Sequence, residues 1–93
     1  MTGNVTYLAS AGDNQVVTAK PAVLYKIIVG AAVGSSVIEI SDSATDGDGN
    51  LIGKLTGSTL NVPGVFEFNC ECTKGICLDL TNQTAVTVIW SPR

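Results

Sequence analysis

The chain has 93 residues, a net charge of −3, and charged side chains at 14% of positions against 45% hydrophobic ones. A fold of that length builds one modest core, burying about 60–65% of the surface its unfolded chain exposes, so residues 1–93 read as a single domain. The five basic residues, Lys20, Lys26, Lys54, Lys74 and Arg93, are scattered, which argues against the clustered basic face that nucleic acid requires.

Eleven Val, seven Ile and ten Thr bias the chain toward β-structure, because β-branched side chains lose rotamer freedom in helices and pack well on a pleated surface. The first predicted strand spans 5–10 and is ended by Gly12, Asp13 and Asn14, a turn-forming run. Residues 1–14 fit either such a strand or an N-terminal arm ordered by a partner. The second strand spans 15–20 and stops at Pro21, which has no N–H for a ladder. The third, 22–32, alternates Val23, Tyr25, Ile27 and Val29 toward the core with Ala22, Leu24, Lys26 and Ile28 on the opposite face. Both faces are apolar, so something must cover the outer one.

Gly34, Ser35 and Ser36 lead into a strand at 37–42, with Ile38 and Ile40 inward and Glu39 and Ser41 outward. The strand at 51–56 places Leu51 and Leu55 on one face and Lys54 on the other. Residues 65–80 read as a hairpin. Thr73, Lys74 and Gly75 form its loop, with the glycine in the left-handed region, and Cys72 faces Ile76, Cys70 faces Leu78 and Phe68 faces Leu80. The last strand, 85–91, sends Val86, Val88 and Trp90 inward and Ile89 outward. About eight short strands without helical periodicity predict an all-β antiparallel β-sandwich or jelly-roll-like domain.

Chemistry-bearing constellations are sparse. Histidine is absent, which removes the commonest general base and a common metal ligand. Glu67, Glu71 and Asp79 are assigned to the outer face of the hairpin, where solvation explains carboxylates as well as catalysis does. Cys70, Cys72 and Cys77 form C-x-C-x4-C, one ligand short of a zinc site. Alternation points Cys70 and Cys72 inward and Cys77 outward, and packing, a disulfide and a metal remain the alternatives. Asp46, Asp48 and Asn50 match the opening of a calcium loop, but Leu51 stands where its glycine belongs and Gly57 where its bidentate Glu belongs. An Asp/Gly-rich turn accounts for the run equally. No catalytic residue, cofactor or metal ligand is assigned.

Residues 21–29 (PAVLYKIIV), 37–42 (VIEISD), 64–68 (GVFEF), 75–80 (GICLDL) and 85–90 (AVTVIW) together resemble the small β-sandwich virion proteins of tailed bacteriophages, the head decoration or cement type. The resemblance rests on strand patterns over residues 15–93 and not on a diagnostic motif. It implies a jelly-roll-like structural protein, a homotrimer that binds the major capsid protein and holds the capsid together. It further implies that the chain resides on the capsid surface of the virion after synthesis in the host cytoplasm. The cysteine trio departs from that pattern.

Low charge and doubly apolar strands suit a subunit that buries outer surface against copies of itself. Leu24, Ile28, Ile89, Val5 and Tyr7 are the expected subunit or capsid interface. No apolar run reaches the roughly 20 residues of a membrane span, and residues 1–7 lack the pattern of a signal peptide, so neither membrane nor secretion is expected. The alternative reading is a carbohydrate- or receptor-binding module of a tail-associated or secreted protein, with Tyr7 as its stacking ring. An enzyme would need Glu67, Glu71 or Asp79 in a composite site between subunits.

Overall fold

The computed structural model describes residues 4–30, 36–45, 50–56, 64–82 and 85–93. Its strands are β1 (Asn4–Leu8), β2 (Gly12–Thr18), β3 (Ala22–Val29), β4 (Val37–Asp42), β5 (Asn50–Thr56), β6 (Gly64–Cys72), β7 (Ile76–Thr81) and β8 (Val86–Pro92). There is no helix among the described residues.

The strands form two four-stranded antiparallel sheets, a first in the order β1-β8-β3-β6 and a second in the order β2-β7-β4-β5. Their pairing is nested: β1 with β8, β2 with β7, β3 with β6 and β4 with β5. The chain is thus one long hairpin, doubled back between β4 and β5 and then rolled up. Rolling adds the β3–β8 and β4–β7 pairings that complete the two sheets. This is the jelly-roll form of the antiparallel sandwich.

Between the sheets lie Leu24, Ile27 and Val29 of β3, Ile38 and Ile40 of β4, Ile76, Leu78 and Leu80 of β7, and Val86 and Val88 of β8, all fully buried. Each such side chain contributes about 1.5–3 kcal/mol by leaving water. Leu55, Phe66, Phe68 and Trp90 close the core from its margins. Trp90 also donates its Nε1–H to Thr6 Oγ1 at 3.0 Å, tying the last strand to the first.

Irregularities in the ladders overturn several sequence expectations. Against β8, β3 carries one extra residue: Leu24 faces Trp90 and Lys26 faces Ile89, with Tyr25 between them. Such a bulge reverses the alternation, so Ala22 and Leu24 point inward on one side of it and Ile27 and Val29 on the other. Leu24 is therefore a core residue and not part of an interface. Val23 and Tyr25, expected inside, are half-buried on the outer face, where the Tyr25 hydroxyl lies 3.1 Å from Ser91 Oγ. A register shift between β4 and β5 likewise separates Leu51, which is exposed, from Leu55, which packs on the core.

Gly12, Asp13 and Asn14 lie inside β2 and do not end a strand. Asn14 takes a left-handed φ of 54° there, a conformation Asn tolerates better than most residues, and its N–H donates to Asp79 Oδ1 at 2.6 Å.

The expected hairpin at 65–80 is absent. β6 belongs to the first sheet and β7 to the second, so residues 73–75 form a corner between sheets. Turn chemistry and side-chain alternation are the same for a hairpin as for a corner of this length, which is why the pattern misled. The corner is organised from β4. Asp42 Oδ2 accepts from the Thr73 N–H (2.9 Å) and hydroxyl (3.1 Å), and Oδ1 accepts from the Lys74 and Gly75 N–H groups (2.8 and 3.3 Å). No described glycine has positive φ. Gly75 is instead required by close approach, since a Cβ there would meet the carbonyl oxygens of Thr18 and, at 2.8 Å, Ser43.

Candidate interaction surface

The outer face of the first sheet can be read row by row from the strand registers. One row runs Tyr7, Thr87, Ile28, Val65 across all four strands. The next runs Val5, Ile89, Lys26, Glu67. A third contains Ser91, Val23 and Glu71.

The first row and the β1–β8 half of the second are apolar or β-branched, and they are open to solvent: Val5 is 67% exposed, Tyr7 61% and Val65 55%. Ile28 and Ile89 are half-buried between them. None of these residues packs into the core cluster. Scattered exposed apolar residues are ordinary, but three apolar side chains and one threonine in a row across a whole sheet make a candidate contact surface.

Charge borders this patch on the β6 side. Glu71 pairs with Arg93 at 3.7 Å, an exposed contact that adds little stability, and Lys26 lies across from Glu67. The face thus carries two positive and two negative side chains and no net charge.

Of the expected interface residues, Val5, Tyr7, Ile28 and Ile89 are brought together on this one face, whereas Leu24 lies in the core. Val65 belongs to the patch and was missed. Its pairing with Ile28 was hidden by assigning β6 to a hairpin with β7.

The candidate catalytic carboxylates are not assembled. Glu67 and Glu71 lie on this outer face, while Asp79 is buried in the second sheet, engaged by the Asn14 N–H. Among the described residues no group of three or more Cys, Asp or Glu side chains is placed to hold a metal, and no pocket is found. Asp46 and Asp48 of the candidate calcium loop lie outside the described residues, and Asn50 begins β5.

The three cysteines form no disulfide. Cys72 is fully buried in the core cluster, and Cys70 packs half-buried against it. Burial first, and then the neighbouring Cys70 and Asp42, push the Cys72 thiol up to about 12. Burial likewise raises Cys70. Cys77 lies outside the core cluster, as alternation predicted, but it is fully buried too. The Cys70 and Cys72 thiols, held protonated by burial, make poor nucleophiles, which fits side chains used for packing.

No family model matches this chain, and neither a curated protein nor a solved structure matches it significantly.

Proposed function

We propose that this protein is a non-enzymatic structural subunit of a bacteriophage virion, a capsid decoration or cement protein that associates with the capsid surface and with copies of itself. The single observation that carries the assembly role is the row of apolar and β-branched side chains Tyr7, Thr87, Ile28, Val65 on the outer face of the first sheet. A lone subunit leaves that row in water, and covering it recovers roughly 25 cal/mol for each Å² of apolar surface removed. The resemblance of the strand segments to phage head proteins supports the virion setting, and repetition over a shell lets weak single contacts hold through avidity.

The test is co-sedimentation of the purified protein with capsids from the phage that encodes it. Binding is expected, together with its loss in Ile28→Lys at unchanged circular dichroism. A folded wild-type protein that stays in the supernatant, and that is absent from purified virions, overturns the reading.

One observation favours a second reading. Tyr7 presents an exposed ring, the feature that a carbohydrate-binding module of a tail-associated or secreted protein requires. Glycan-array binding that disappears in Tyr7→Ala selects this alternative.

A further inference from the structure

Each sheet of the sandwich ends in two edge strands, and the four are not alike. β1 and β6 bound the first sheet, β2 and β5 the second. An edge strand offers a row of N–H and C=O groups to any extended chain, and soluble proteins guard such edges with charged side chains and bulges.

Three of the four edges carry both guards. β2 has Asp13, a left-handed Asn14 and two register shifts against β7. β5 has Lys54 and an extra residue, Ile52, against β4. β6 has Glu67 and Glu71, and at its bulge Phe68 and the left-handed Asn69 stand opposite Tyr25.

β1 has neither guard. Its five residues hold no charge and pair with β8 in unbroken register from Asn4 to Leu8, and five is an ordinary strand length. Val, Thr and Tyr are also among the residue types most favoured on a sheet. Among the described residues no strand but β8 pairs with β1, so its other edge is open.

The residues of β1 are fitted to a copy of themselves. When two β1 strands lie antiparallel across a twofold axis at Thr6, perpendicular to the sheet, all five residues pair: Asn4 with Leu8, Val5 with Tyr7, and Thr6 with Thr6. A shift of one residue would set outward side chains against inward ones, and a shift of two gives up two of the five pairs. The centred register brings the exposed Val5 and Tyr7 together twice, an aromatic ring on a β-branched neighbour, which is a favourable cross-strand pair.

The outer face continues across such a seam. The row Val65, Ile28, Thr87, Tyr7 of one copy runs on into Val5 and Ile89 of the other. β1 and β8 bring no charged side chain to the junction, and Lys26 and Glu67 lie farther out, on β3 and β6.

We infer that the free edge of β1 is a homodimer seam, where a second copy of this chain adds its own β1 antiparallel and joins the two four-stranded sheets into one. The inference rests on the assembly role proposed above and names the contact between copies. An isologous seam closes at two copies, whereas the trimer implied by the phage resemblance would need two different patches on each subunit.

The experiment is sedimentation equilibrium of the full chain at about 200 µM, well above a micromolar dissociation constant. Wild type is expected at twice the 9.6 kDa chain mass. The double variant Val5→Lys/Tyr7→Lys sets ammonium groups against each other twice across the seam and is expected to weaken self-association at least about tenfold. Val5→Lys/Tyr7→Glu alters the same two exposed positions but sets opposite charges across the seam, and it is expected to remain a dimer. Both variants are expected to keep the far-ultraviolet spectrum of wild type.

A monomeric or trimeric wild type overturns the inference. So does a dimer that survives the Lys/Lys change, or one that the Lys/Glu change abolishes equally, because a contact through the sheet face would lose its apolar residues in both. Capsid binding by a monomeric wild type would sink the dimer while leaving the structural role standing. Failure of a dimeric wild type to bind capsids would do the reverse.

Discussion

Asp42 does more for this fold than its place at the end of a strand announces. Burial of its carboxyl opposes ionisation, but three backbone N–H groups and the Thr73 hydroxyl outweigh that and hold its pKa below the ordinary 3.8. Because the folded value is the lower one, the stabilisation is complete above the unfolded value and is lost as pH falls from about 3.8 toward the folded value. Asp42→Ala is expected to cost about 2–3 kcal/mol at neutral pH by stripping the corner of its acceptor. In urea titrations the gap between wild type and variant should close below pH 3.8, and a gap that persists there would show that the carboxylate is not the cause. At the same corner, Gly75→Ala drives a methyl group into two backbone carbonyls, and a loss of about 3 kcal/mol or more in thermal or chemical unfolding is expected. A mild effect would mean that the corner relaxes without strain.

Among the elements, β3 decides between core and surface by a single inserted residue. Leu24→Ala is expected to cost about 2–5 kcal/mol through a core cavity, and Ile28→Ala less than about 1 kcal/mol in the same equilibrium unfolding measurement, since Ile28 lies outside the core cluster. Similar losses at both positions would place the bulge elsewhere. That bulge also marks where the sequence ceased to be legible. The class of fold and the inward Ile38, Ile40, Val86, Val88 and Trp90 all follow from β-branched content and two-residue alternation, and Ile28 and Ile89 emerged as outward-facing by the same rule. Alternation has no term for an extra residue, so Ala22, Leu24, Val23 and Tyr25 were sent to the wrong side, and Leu51 was put on the face of Leu55. Local turn chemistry, in turn, does not specify whether consecutive strands pair or cross between sheets. The β6–β7 corner and the membership of Val65 in the outer row depend on pairings between β3 and β6, which are set by packing across the whole chain.

Over the whole molecule, nested pairing makes the earliest strand wait for the last: Asn4 pairs with Trp90. Contacts of such long sequence separation slow folding, and refolding in milliseconds to seconds is expected in stopped-flow measurements. A microsecond phase carrying the full amplitude would contradict the rolled-hairpin pairing. The chain's one tryptophan sits at the seam between those two strands, its indole N–H on Thr6. It is therefore a built-in optical reporter for that seam: peeling away the first strand wets the ring and shifts its emission to the red. In Thr6→Val the indole loses its acceptor, and the same colour change should arrive at lower denaturant than loss of the β circular-dichroism band, separating detachment of one strand from collapse of the sandwich.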